Sequence, residues 1–289
     1  MHLTSLRQLH FASSIPDQSA CQPRSEQIDH VFKIADSSNE LLQAFGLLYR
    51  EYLHAGYIRE SASELLFTKY HLLPETTIFV AKDNSAVVST ATIVRDNPQF
   101  GLPMDELYDN ELNFLRNQGR RVLEVCSLAS NKQKLSRSGI QNFIKLIFLY
   151  SIFLDADDIC IIVNPRHVKL YTAMFGFKTF GEEKYYPRVN APAVPLHVDI
   201  LQARNNISQT CFTFSYSEHL HSRYQALKIA VSDKILGAFQ DRRHGSPNPL
   251  DTCLLGHMLS VKNEILQSLN QECRKLLSSC YPGLCIEAS

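Results

Sequence analysis

The residue with the most chemical promise is Glu124, the one charged side chain in the run Val122-Leu123-Glu124-Val125-Cys126-Ser127-Leu128-Ala129. The run is apolar and β-favouring, which predicts a buried strand. An unpaired carboxylate is costly inside such a strand, so Glu124 is paired, sits at an exposed end, or is kept for proton transfer. The third reading takes precedence. After the strand, Ser130 to Gly139 form a polar loop carrying Lys132, Lys134, Arg137 and Ser138 and ending in glycine. Ile140 to Leu154 come next, with a helical pattern that is apolar on most faces and therefore buried. A basic loop entering a helix N-terminus can hold a phosphate, although many such loops bind nothing. A second apolar strand, Asp158 to Val163, runs into Asn164-Pro165-Arg166-His167. Substrate sites of open α/β sheets lie at such strand ends, yet a lone histidine such as His167 is more often structural. Val168 to Phe175 predict a short helix that Gly176 closes, with a strand restart behind it.

The chain has 289 residues, 45% of them hydrophobic, enough for one large domain and an appendage. Its 29 basic and 29 acidic side chains cancel, with no long block of like charge, which argues against a nucleic-acid partner. The eight cysteines show no Cys-x-x-Cys and no close histidines, so no metal site is expected. Cys126 and Cys160 read as small buried hydrophobes, which suits a reducing cytoplasm. No stretch is apolar enough for a membrane span or a signal peptide.

Residues 1–29 are polar and read as a poorly ordered leader. Val31 to Ala35 predict a first strand, and Asp36-Ser37-Ser38 cap a helix bearing Leu41, Phe45, Leu48, Tyr49 and Tyr52 at helical spacing. Strands over Thr76–Ala81 and Ala86–Val94 flank a polar turn and predict a hairpin that ends on Arg95. Asp105 to Gln118 predict a helix closed by Gly119. Ala193 to Leu201 alternate as a last strand, and Asn205-Asn206 mark a boundary. Tyr216–Asp241 and Leu250–Ser279 each carry an apolar stripe, separated by His244 to Pro249, and predict a helical hairpin whose stripes pack on the domain or on a second subunit. The expected domains are thus the leader, a catalytic domain over 30–204 and a helical appendage over 205–289.

An Asn at 164, a Tyr seven residues on at 171, and then Gly176-Phe177, all behind a buried strand, resemble the C-terminal half of the GNAT acyltransferase fold. Gly101-Leu102-Pro103-Met104-Asp105-Glu106-Leu107, the Arg120 to Ala129 strand, Asn164 to His167 and Val189 to Val194 occur in an order that resembles the long-chain N-acyl amino acid synthases. These are relatives of the acyl-homoserine-lactone autoinducer synthases. The resemblance implies an α/β (α+β) fold with a central mixed, twisted sheet flanked by helices, and it covers roughly residues 30 to 200.

It also implies a chemistry. An amino acid's amine is mostly protonated near pH 7, so amide formation from a thioester needs a base, and Glu124 takes that role. Backbone N–H groups of Ser127, Leu128 and Ala129 face the oxyanion, Tyr171 protonates the departing thiolate, and His167 joins the catalytic set. Asn164 and Arg166 bind substrate, and Arg95 is a candidate for the acceptor, against the plainer reading of a surface arginine. Lys132, Lys134, Arg137, Ser138 and Gly139 meet the donor. That loop lacks a Gly-x-Gly run, which favours acyl carrier protein over coenzyme A as carrier of the acyl-phosphopantetheine thioester. No permanently bound cofactor is expected. The partners would be acyl carrier protein, an amino acid and, through the C-terminal helices, a second copy of the chain. Two other readings stand beside this one. An acyl-homoserine-lactone synthase is disfavoured because Ser127 stands where those enzymes typically have arginine, and a non-catalytic assembly domain because Glu124 and the Asn164 to His167 motif are retained.

Overall fold

The computed structural model describes residues 30–207, 237–240, 250 and 252–282. The leader and the bulk of the first expected hairpin helix lie outside the described residues. Strand β1 (Val31–Ile34) leads to helix α1 (Ser38–His54), whose N-cap Ser37 accepts a hydrogen bond from Glu40 N–H as the sequence predicts. The hairpin of β2 (Thr77–Asp83) and β3 (Ala86–Arg95) turns at Asn84, which tolerates the positive φ of 53° that a tight turn requires. Helix α2 (Asp105–Asn117) precedes β4 (Val122–Ser130), α3 (Arg137–Phe153), β5 (Asp158–Val163) and α4 (Pro165–Phe175). Short strands β6 (Lys178–Thr179) and β7 (Lys184–Tyr186) then precede β8 (Ala191–Asp199) and α5 (Ile200–Ile207).

The strands form one mixed sheet in the order β1-β2-β3-β4-β5-β8-β6, with β7 also on β8. Only β4 and β5 run parallel; the other described pairs are antiparallel. Helices cover both faces, so the central strands are apolar on both sides. Ile78, Val80 and Val94 pack toward α1, and Phe79, Ala81 and Ile93 toward α3. Phe239, from the short described piece 237–240, is buried against Tyr150 and Phe153 on the α3 face.

Two departures from regularity open the middle of the sheet. Thr90 pairs with Ala129 and Thr92 with Cys126, so Ala91 faces both Ser127 and Leu128, a β-bulge in which Ser127 adopts a φ of 53°. In addition, β5 pairs with β4 only along Val122–Glu124, while its pairing with β8 continues to Val163. Beyond Glu124 the two parallel strands part and leave a wedge in the sheet.

Several boundaries differ from expectation, and caps explain each. Ser136 caps α3, which starts three residues before the apolar run, and Asn164 caps α4 with Pro165 at its first position. The last strand stops at Asp199, whose side chain accepts from Gln202 N–H at 2.8 Å and starts α5, so Asn205 lies within a helix. Leu250–Ser279 reads as a single helix from its stripe, but it is broken into α6 (Thr252–Val261), α7 (Asn263–Gln267) and α8 (Gln271–Cys280). The backbone leaves the helical region at Lys262, and Asn270 begins a new helix by accepting from Cys273 N–H. Kinked in this way, the segment tracks the domain surface. Leu254, Leu255, Met258, Leu259, Leu269 and Leu277 share one core with Leu41, Phe45 and Leu72, and Tyr281 O–H donates to Leu72 O at 2.8 Å. The described cysteines are free thiols, and no described helix is long and apolar enough to cross a membrane.

Met258 is fully buried in that shared core. Met258→Ala is expected to lower the unfolding free energy by about 2–5 kcal/mol in guanidinium titrations. A loss below the error of the measurement would mean that these helices are detached from the core in solution.

Candidate active site

Glu124 projects from β4 toward α1 and α2, on the same face as Val122, and is 2% exposed. Its Oε2 accepts a hydrogen bond from Met104 N–H at 2.8 Å. Burial raises its carboxyl pKa to about 8, Asp105 adds to the rise, and the Met104 bond and the charge of Arg188 oppose it. At neutral pH the group is therefore largely protonated, which removes the cost of a buried charge and sets its basicity near the operating pH.

The Met104 amide is held by a turn that is itself well tied. Leu102 N–H donates to Asp105 Oδ2 at 2.6 Å, and Tyr70 O–H donates to Leu102 O at 3.0 Å. Arg116 bridges Asp105 and Asp96, with Nη1 at 2.6 Å from Asp105 Oδ1 and a bidentate pair at 2.7 and 2.8 Å on Asp96. Gly101 is required there. Its φ is +63°, and a Cβ would overlap the Asp105 carboxylate.

Beyond Glu124, Val125 to Leu128 on β4 and Ile162 and Val163 on β5 change from buried to half-buried. They are the walls of the wedge, mostly apolar. The edge of β4 facing β5 has no strand partner there, which leaves the backbone of Ser127, Leu128 and Ala129 beside the gap. Tyr52 of α1 lies over it. Burial raises its phenol pKa, Cys126, Tyr171, Tyr57 and Tyr186 add to the rise, and its ring packs edge-on against Tyr57. Tyr171, packed against Phe175 and Phe177, also has its phenol pKa raised by burial and stays protonated at neutral pH.

The cationic residues gather at the other end of the wedge. Asn164 Oδ1 accepts from Arg166 N–H, and Arg166 donates from Nη2 to Tyr57 Oη at 2.7 Å and from Nε to His167 Nε2 at 3.1 Å. Burial, Arg166 and Lys132 together depress the His167 pKa, so the ring is neutral and its Nε2 lone pair is engaged. His167 lies just past the strand end, whereas Glu124 pairs with Cys160 three residues earlier, a separation of roughly 10 Å along β5 alone. Lys132 and Lys134 are exposed in a turn anchored by Asn131 N–H to Val88 O. Arg137, Ser138 and Gly139 form the first turn of α3, and the Gly139 N–H is committed to Ser136 Oγ at 3.1 Å. A Cβ on Gly139 would meet Leu135 Cδ1 at 2.5 Å, so this glycine serves packing.

Arg95 is not brought to this site. It pairs with Leu123, on the α3 face of the sheet, while Glu124 faces α1. Three residues that the sequence patterns did not single out stand near Glu124 instead. Burial and then Glu124 raise the Tyr70 phenol pKa, and burial does the same for Tyr186, where Arg188 opposes and Glu106 and Glu124 add. Arg188 is ion-paired with Glu106, two residues after Met104. Only its position directly before the Val189 to Val194 motif hinted at it. A cleft of about 300 Å³ lined by Arg120, Asp158, Met174, Lys178 and His197 lies at the opposite end of the sheet, where Asp158 is bonded to Arg120 and His197. Among the described residues no group of three or more His, Cys, Asp or Glu side chains is placed to hold a metal ion.

The family described as N-acyl amino acid synthase FeeM matches residues 43–199. The chain belongs to the FeeM family. That span runs from α1 to the end of β8 and contains Glu124, the bulge and the wedge. The solved structure of FeeM, an N-acyl amino acid synthase from uncultured soil microbes, is 28% identical, with a TM-score of 0.55, over 63% of this chain and 95% of that one. The acyl-homoserine-lactone synthase LasI is 16% identical, with a TM-score of 0.47, over 60% of this chain and 90% of that one. An N-acetyltransferase from Staphylococcus aureus Mu50 is 12% identical, with a TM-score of 0.41, over 60% and 99%. A search of curated proteins finds no match. The α/β fold expected of a GNAT-type acyltransferase is the one observed, and family membership makes the chain an N-acyltransferase.

The raised pKa of Glu124 has a consequence for stability. Below the ordinary carboxyl value of 4.5 the group is protonated in both states; from there to about pH 8 the unfolded chain loses a proton that the folded chain keeps, so its contribution to stability declines as pH rises. Glu124→Gln cannot titrate. Its melting temperature relative to wild type is expected to climb between pH 5 and pH 8, and a difference that does not vary with pH would mean that Glu124 titrates normally.

Proposed function

We propose that this enzyme transfers a long-chain fatty acyl group from the phosphopantetheine thioester of an acyl carrier protein to the α-amino group of an amino acid. The observation that carries the reading is a buried carboxyl, held by the Met104 amide, at the closed end of an apolar gap in the sheet. A fatty acyl chain matches the walls formed by Val125, Leu128, Ile162 and Val163, since each CH₂ removed from water contributes about 0.8 kcal/mol.

In this reading Glu124 is the general base. One proton of the acceptor's ammonium passes to Glu124 in its ionised form, the minor one at pH 7, and on to solvent, and the freed nitrogen attacks the thioester carbonyl carbon. The oxyanion meets backbone N–H groups of the bulge at Ser127 to Ala129, each such donor contributing on the order of 3 kcal/mol. As the intermediate collapses, the C–N bond is complete and the C–S bond breaks. Tyr171 gives its proton to the departing sulfur and is reprotonated by the second proton leaving nitrogen. Arg166 and His167 belong to the donor end, where the phosphopantetheine arm would enter past α3. The exposed Lys132 and Lys134 then meet the acidic surface of the carrier protein.

The direct test incubates purified protein with an amino acid and carrier protein loaded with acyl groups from acetyl to palmitoyl, and detects products by mass spectrometry. N-acyl amino acid formation is expected to rise with chain length and to fall at least about tenfold in Glu124→Gln, with partial recovery at higher pH as more amine is deprotonated. Preference for acetyl, or full turnover in Glu124→Gln, would refute the reading. Reversing Lys132 and Lys134 to glutamate is expected to raise the KM for acyl carrier protein several-fold and to weaken its salt dependence, with transfer from a small acyl-thioester unchanged. Equal losses with both donors would mean that the loop shapes the site and docks no protein.

A further inference from the structure

We propose that Arg188 binds the carboxylate of the acceptor amino acid, which orients its α-amino group toward Glu124. The assignment rests on the acyl-transfer reading and deepens it. An amino acid presents a carboxylate and an amine on one carbon, so a site that acylates it selectively needs a cation within one small molecule's reach of the base.

The geometry supplies that cation. The turn that holds Glu124 through Met104 N–H also holds Arg188 through Glu106, since Arg188 Nε pairs with Glu106 Oε2. The segment bearing Arg188 is laid along the first turn of α2 by two more bonds, Lys184 Nζ to Leu107 O at 2.6 Å and Tyr108 O–H to Ala193 O at 2.8 Å. Among the described residues, Arg188 is the cation whose field reaches Glu124, and the Tyr186 phenol feels both groups.

The donor pattern fits a carboxylate. Glu106 occupies Nε, and among the described residues no protein group accepts from Nη1 or Nη2, which form the fork that takes a carboxylate in two bonds. The other arginine of the site is committed, because Arg166 spends Nε on His167 and Nη2 on Tyr57 at the donor end. Arg188 also remains partly open, with 44% of its side chain exposed, so a soluble amino acid can reach it. Its ion pair is a half-exposed one of small structural worth, so substitutions there are expected to preserve the fold.

The test compares an amino acid with its neutral carboxamide as acceptors, using one acyl-thioester donor. Wild-type enzyme is expected to favour the acid by at least tenfold in kcat/KM. In Arg188→Gln that preference should fall to about one, through a rise in KM for the acid, with the carboxamide and donor KM unchanged and the melting temperature preserved. Arg188→Lys, which keeps the charge and loses the fork, should fall between. Retention of the wild-type preference in Arg188→Gln would overturn the assignment, as would wild-type enzyme that takes both acceptors equally. A wild-type enzyme that acylates neither would overturn the acyl-transfer reading, and the assignment with it.

Discussion

One backbone hydrogen bond, from Met104 N–H to the Glu124 carboxyl, joins the chemistry of this molecule to its architecture. A carboxyl deep in a sheet with a single amide donor can hold or release a proton at modest cost; with several donors it would be a permanent anion, and with none a permanent acid. That balance depends on where the Met104 amide sits. The amide depends on the turn at Gly101, the turn on Asp105, and Asp105 on Arg116 and Asp96. Tyr70 fastens the same turn from the other side, and its neighbour Leu72 is buttressed by Tyr281 at the end of α8. A series of contacts thus connects the buried Glu124 carboxyl to the C-terminal helices among the described residues.

The elements that build the site were largely legible because each reports a local constraint. Glu124 stood out as a charge in an apolar strand, the Asn84 turn as a hairpin, Ser37 as a cap, and Gly176, with its φ of 71°, as a helix end. The misplaced boundaries share a cause. Ser136, Asn164, Asp199 and Asn270 each begin a helix with a side chain that also suits a loop, and apolar periodicity outweighed them. Arg95 and Arg188 were illegible for another reason. Which face of a strand an arginine leaves from, and which turn it meets, is set by register and crossover, and neither can be read from a single arginine in sequence.

The wedge is polarised along its length. Its closed end holds Glu124 with Tyr70, Tyr186 and Arg188 nearby, and its open end holds Arg166, His167 and the lysines of the loop before α3. The two described histidines near this core illustrate how context divides a residue type. His71 is buried with its pKa lowered to about 4, and its Nδ1 accepts from Thr68 N–H, so it is a neutral part of the interior. His167 is half-buried beside two cations and stays neutral through their repulsion as well.

The bulge at Ser127 reverses the alternation of β4. Val122, Glu124 and Cys126 face α1, as does Ala129 after it, while Leu123, Val125 and Leu128 face α3. Removing Ser127 alone would therefore leave each neighbour on its present face and restore an unbroken strand with normal pairing to β3. The irregularity on the β3 edge of β4 is thus a single residue, while the parting of β4 from β5 beyond Glu124 is a separate feature of the other edge. An extra residue at this point leaves the hydrophobic pattern on either side untouched, so both faces of β4 keep their packing across the bulge.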